Sequence, residues 1–228
     1  MAESDQTANR ETGGSGIIEE KQLMALSHPV DKNSTALLVM DVQNDITRMD
    51  SPIAVQMGFA QEIERSGMLT KLRGLIDHCR DTGLKVIHVF IDLEAGTQPR
   101  MPNRGQFYSI VSGGDVCKRG TPGGDSHEAV APIEGETIVY KCLFSAFASS
   151  GLQEVLDAEG ITDLILTGVS TDAVVESTAW DGSDRGYSII LAEDCCVCAT
   201  DEIHNQTVER MALRCDVSTA AELIESIQ

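Results

Sequence analysis

Positive charge is scarce in this sequence. Its 228 residues carry 17 Lys and Arg against 36 Asp and Glu, a formal net charge of −19. Nucleic acid and anionic membrane surfaces repel such a chain, so neither is an expected partner. Long apolar runs are missing as well. No stretch reaches the roughly 18 consecutive apolar residues of a membrane-spanning helix. The N-terminus has no basic stretch followed by an apolar one, so no export signal is read there. An even cysteine count is also lacking: the seven cysteines stand at 79, 117, 142, 195, 196, 198 and 215. A small secreted disulfide framework usually shows even numbers. Cys195-Cys196-Val197-Cys198 is not a pair of CxxC motifs, so zinc is poorly supported. The expectation is a cytoplasmic protein with reduced thiols. Internal repeats are absent.

What remains is ordinary globular material. Hydrophobic residues make up 42% of the chain, enough for a real core in one large domain. Residues 1–16, MAESDQTANRETGGSG, have almost nothing to bury and read as a disordered tail, leaving a single domain over 17–228. Ala36-Leu37-Leu38-Val39-Met40 reads as a strand buried on both faces and ending at Asp41. Over 60–82 the apolar residues Ile63, Leu69, Leu72, Leu75, Ile76 and Cys79 recur at helical spacing, and Gly83 stops the helix. LKVIHVFIDL, ETIVYK, TDLILTGV, YSIILAED and CDVST read as further strands, with helices over 150–161, 172–185, 201–214 and 220–227 between and after the later ones. Residues 93–130 lack periodicity and hold seven of the 20 glycines and three of the six prolines. A loop of that length in a compact domain often walls a pocket.

Alternating strands and helices indicate an α/β fold: a Rossmann-like, doubly wound sheet of about six parallel strands with helices on both faces. Ligands in such sheets bind beyond the carboxyl ends of the strands. Three strand ends therefore carry the functional expectation: Asp41, Lys141 and the turn before Val174. Asp41 reads as a semi-buried carboxylate or as a loop cap. Lys141 needs a nearby anion, and the two would satisfy each other if they met.

The segments ALLVMDVQNDI, VYKCLFSAF and LTGVSTDAVVESTAWDGSDRGY, the last followed by LAEDCC, resemble the isochorismatase-like (cysteine hydrolase) superfamily in that order, over roughly residues 34–226. The last segment is most similar to the amidohydrolase branch, with its biuret, carbamoylsarcosine and ureidoacrylate hydrolases. The resemblance implies a six-stranded parallel sheet, a homodimer or homotetramer, a small-molecule substrate and an Asp-Lys-Cys triad. Asp41 matches the aspartate of the D-x-Q motif, with Gln43 beside it. Lys141 matches the lysine that precedes Ser145-Ala146-Phe147. The cysteine position, sixth after Gly168, is Val174. Gln43, Phe147, Thr171 and Ala173 fall at substrate-binding positions, and the amides of Ala173 and Val174 at the family's oxyanion hole.

A valine has no lone pair with which to form an acyl intermediate. Ser170, Thr171 and Ser177 flank the turn but are poor stand-ins. Cys142, next to Lys141 on a strand, should face the other way. Cys195, Cys196 and Cys198 read as thiols packed beneath the site. Isochorismatases proper resemble this case in keeping the Asp while another residue holds the cysteine position. By that analogy Asp41 would act as an acid on a small anionic or carbonyl-bearing molecule, with Lys141 orienting it or binding a substrate carboxylate. Two other readings stay open: an inactive relative that binds a small ligand, and an amidohydrolase whose nucleophile was replaced at Val174. No metal or cofactor is expected. The D-x-H metal motif of related nicotinamidases is missing, His88 reads as a core residue, and His78, His127 and His204 are scattered. Arg100, Arg104, Lys118 and Arg119 in the long loop could contact an anion, though solvated loop charges are the commoner case.

Overall fold

A computed structural model describes residues 26–94, 104–105 and 115–228. The expected tail over 1–16 and most of the long loop's first half lie outside the described residues. Six strands, β1 Thr35–Met40, β2 Lys85–Ile91, β3 Thr137–Lys141, β4 Asp163–Val169, β5 Ser188–Val197 and β6 Asp216–Ser218, form one sheet in the order β3-β2-β1-β4-β5-β6. Every pairing is parallel, as the runs of apolar residues implied. All six residues of β1 are buried. Alternate side chains serve opposite faces: Leu38 and Met40 join one core layer, Leu37 and Val39 the other.

The chain winds outward from β1 in one direction through β2 and β3, then in the other through β4, β5 and β6. That reversal sets a crevice at the carboxyl end of β1. Register brings the strand ends level, with Met40 opposite Val89 on β2 and Gly168 on β4, and Ile91 opposite Lys141. Gly168, at φ +127°, has no room for a side chain, because a Cβ there would collide with the carbonyl oxygen of Met40. A non-proline cis peptide joins Val169 to Ser170 just beyond it.

The helices are α1 Asn44–Thr47, α2 Pro52–Gln56, α3 Phe59–Ser66, α4 Met68–Thr82, α5 Leu152–Glu159, α6 Glu176–Asp184, α7 Asp201–Met211 and α8 Ala220–Ser226. The single helix expected over 60–82 is two, because Gly67 adopts φ +67° and breaks the run between α3 and α4. Leu72, Leu75, Ile76 and Cys79 on α4 are fully buried, as their spacing predicted. The helix expected over 172–185 begins as a π turn, Thr171–Val175, and continues as α6. The short α1 and α2 were not foreseen. In the described part of the long loop, Ser126 bridges to Gln43, and Glu128–Val130 forms a 3-10 turn whose Val130 is buried.

Candidate active site

Asp41 follows the last residue of β1 at φ +55°, with its amide donating to the carbonyl of Val89 at 2.8 Å. Lys141 is the last residue of β3, with β2 lying between β3 and β1. The Lys141 chain reaches across the end of β2 to place Nζ 2.7 Å from Asp41 Oδ2, and it also donates to the carbonyl of Leu143 at 2.9 Å. Both residues are sealed from solvent, at 0% and 2% exposure. Asp41 Oδ1 is buried and has no hydrogen-bond partner. Burial pushes the Asp41 carboxyl above its ordinary value of 3.8, outweighing the pull of the Lys141 charge and hydrogen bond in the other direction.

Asp41, though not Lys141, lines a cavity of about 190 Å³ at the crevice. Ile46, Met57, Phe59, Ile91 and Phe144 wall it; Val169 ends β4, and Ser170, Ala173 and Val174 come from the turn after it; Asp172 is exposed at its rim. A larger depression of about 560 Å³, lined by Arg48, Glu64, His127 and Glu128 among others, includes neither member of the buried pair. The smaller space is the chemically marked one.

Val174 therefore borders the same cavity as Asp41, and no thiol lines it. The Val174 amide is already committed to the Ser170 carbonyl at 3.0 Å. The family resemblance implies instead that this amide is offered to an oxyanion. Ser177 and Thr178 donate back to the Val174 carbonyl, at 3.2 and 2.7 Å. Of the three hydroxyls considered as stand-ins, only Ser170 lines the cavity, and it donates to Asp172 Oδ1 at 2.7 Å.

Ala173 lines the cavity, but the other three expected substrate contacts do not. Gln43 is fully buried as a clamp: its amide nitrogen donates to the carbonyls of Ile91 and Gly124, both at 3.0 Å, and its oxygen accepts from Ile91 at 2.8 Å. Phe147 packs in the core, stacked on Tyr187 at 5.6 Å beneath the Arg185 guanidinium. Thr171 faces away, its hydroxyl 2.8 Å from His204 Nδ1. The motif residues around Lys141 and Val174 brace each other: Ala146 donates to Thr178 and Ser145 to Asp181.

The cysteines are free. Cys142 pairs with Ser149 rather than lining the cavity. Cys195, Cys196 and Cys198 are buried, and burial pushes Cys198 up to about 12, with the Asp172 carboxylate it donates to adding to the effect. Cys117, whose amide donates to Asp45 at 2.8 Å, lies within electrostatic reach of Asp41 and Lys141, but its thiol is pushed up first by burial. None of the described residues in 93–130 lines the cavity. Sequence reasoning missed Ile46, in a four-residue helix too short to show a period, Met57, at the end of the five-residue α2, and Phe59, at the very start of α3. It also missed Phe144, although that residue lies within the VYKCLFSAF segment. Among the described residues, no group of three or more His, Cys, Asp or Glu is placed to hold a metal ion.

The chain resembles known proteins in sequence and in fold. A ureidoacrylate amidohydrolase of Caulobacter vibrioides is 29% identical over 198 residues, 81% of this chain and 84% of its own. A protein of Arabidopsis thaliana described as a "probable inactive nicotinamidase" is 28% identical over 77% of this chain and 86% of its own. The crystal structure of a cysteine hydrolase from Pseudomonas syringae pv. phaseolicola superposes with a TM-score of 0.72, covering 88% of this chain and 95% of that one at 22% identity, and so shows the fold. The isochorismatase domain model matches residues 35–222, and the chain belongs to the isochorismatase family.

Proposed function

We propose that this chain hydrolyses a small molecule by proton transfer from Asp41, with water rather than a side chain attacking the substrate. One observation carries the reading: a carboxyl held up by burial, with one oxygen bound to Lys141 and the other unpartnered, adjoins a cavity that Val174 borders in place of a nucleophile. With Oδ2 accepting from Lys141, the proton of the neutral acid belongs on Oδ1. For an enol ether, that proton passes to the double-bond carbon and the adjoining carbon becomes an oxocarbenium. Water adds to it, the hemiketal collapses to carbonyl and alcohol, and the proton released returns to Asp41. Lys141 positions the carboxyl; sealed in and doubly bonded, it is not the group that binds a substrate carboxylate.

Asp41→Asn should abolish turnover of whichever member of a panel of enol ethers and amides the protein hydrolyses, while ligand binding persists. Undiminished turnover in that variant would sink the reading. A second reading is a binder without turnover, favoured by the commitment of the Val174 amide to Ser170 and in keeping with the name of the Arabidopsis relative. Tight binding without turnover by the wild-type protein would select it. A third is an amidohydrolase whose nucleophile was replaced, akin to the ureidoacrylate enzyme; Val174→Cys would then create amidase activity. A cytoplasmic homodimer or homotetramer suits any of the three.

A further inference from the structure

The lining of the cavity has a charge pattern that a carboxylate substrate does not fit. Its only ionisable side chains among the described residues are two acids, Asp41 and Asp172. The one buried cation beside it, Lys141, is spent between Asp41 and the Leu143 carbonyl. Arg210, which feels the charge of Asp172, is held bidentately by Glu176 at 2.6 and 2.8 Å. Asp172 is fixed rather than loose, because Ser170 and the Cys198 thiol both donate to its Oδ1, at 2.7 and 3.0 Å.

Two further features point to a ligand. Asp41 Oδ1, almost wholly buried on the cavity wall, lacks a partner, a state that buried polar atoms rarely keep once a site is filled. The aromatic side chain of Phe59 lines the same space, and aromatic rings attract organic cations. The net charge of −19 draws cations toward the molecule and repels anions.

We propose that the cavity takes an amine: a small molecule that sets a protonated nitrogen at Asp172 on the rim and a polar, hydrolysable group against Asp41 Oδ1. Carboxylates are disfavoured. This deepens the hydrolytic reading by naming its substrate class, and it rests on that reading's choice of cavity.

Three probes of matched shape and different charge test it: isopentylammonium, isovaleramide and isovalerate, each titrated calorimetrically into the full chain at low salt. The ammonium should bind at least roughly tenfold more tightly than the carboxylate, with the amide between them. Added salt should weaken the ammonium and leave the amide unchanged. Asp172→Asn should bring the ammonium down to the affinity of the amide, while Asp172→Glu keeps the preference. Equal or tighter binding of isovalerate, an unchanged ratio in Asp172→Asn, or no binding by any probe overturns the inference. A carboxylate preference combined with Asp41-dependent turnover would overturn it and leave the acid mechanism standing.

Discussion

Removing Lys141 alone should hurt the fold far more than removing it together with the charge it faces. An exposed ion pair contributes about 0–1 kcal/mol. The Asp41–Lys141 contact is not of that kind, since its members are 2% and 0% exposed and 2.7 Å apart. Truncating one member of a buried pair strands the other charge and costs about 3–5 kcal/mol, against a total stability of about 5–15 kcal/mol. Taking both charges away is often neutral or stabilising. Asp41 sits at φ +55°, where asparagine is tolerated and a branched residue is not, so Asp41→Asn is the proper partner change. Lys141→Met and Asp41→Asn should each cost about 3 kcal/mol or more, and the double variant less than either.

The pH dependence gives this prediction a sign. Burial already holds Asp41 above 3.8, and Lys141→Met removes the charge and the hydrogen bond that most oppose it. A carboxyl raised in the folded state contributes stability while protonated and loses it as pH climbs through the folded value, about 1.4 kcal/mol for each unit of difference. Urea unfolding of Lys141→Met at about pH 5 and about pH 8 should therefore show stability falling with pH, and Asp41→Asn should lack that slope. Single-variant costs below about 1 kcal/mol, additive costs in the double variant, or a flat pH profile for Lys141→Met would refute the reasoning.

Two further outcomes follow from the scaffold. Gly168→Ala should leave little soluble folded protein, because its Cβ would meet the Met40 carbonyl at a φ that L-residues avoid; a variant with wild-type melting temperature would contradict the close approach of β1 and β4. His88 is fully buried, and burial pushes it below its ordinary value of 6.5 although Glu136 lies 3.0 Å from Nε2 and pulls the other way. With Arg80 bonded to the same Glu136, and Nδ1 buried without a partner, the unfolded chain takes up the proton more readily. Stability should then fall as pH drops below 6.5, and His88→Met should flatten that decline in urea midpoints; an identical slope in the variant would count against it.

The parts of this site that were legible in the sequence are those where burial and charge conflict. Five apolar residues ending in Asp41, and ETIVYK ending in Lys141, each place an ion at the tip of a buried strand, and such ions need each other. Their meeting follows from the parallel sheet, which sets the carboxyl ends of β1, β2 and β3 side by side. Gln43, Phe147 and Thr171 do not line this cavity, and their placement was illegible for the opposite reason. They sit in irregular turns, where no period says which way a side chain points, and their polar or aromatic groups were claimed by Ile91, Tyr187 and His204. The break at Gly67 was hidden because the apolar spacing of α3 continues into α4. The acidity of the cavity could not be read at all, since Asp41 and Asp172 are far apart in the chain and share a wall only after β1 and β4 pair.

Val174 shows how far a single residue's chemistry reaches. Acyl transfer at this turn needs a thiolate to attack and backbone donors to hold the oxyanion. The turn lacks the first outright, and one of the two amides that would serve the second, that of Val174, is 3.0 Å from the Ser170 carbonyl. Losing one oxyanion donor typically costs about a hundredfold to a thousandfold in rate. A thiol installed by Val174→Cys would thus face Asp41 across the cavity yet work without that donor, so its amidase activity should fall short of an intact cysteine hydrolase by about that factor. Trapping with an electrophile separates the two deficits: the new thiol should alkylate while amide turnover stays slow. Turnover matching that of the amidohydrolase relatives would mean that the amide swings free of Ser170 when substrate binds, and the Val174–Ser170 contact would no longer argue against acyl chemistry.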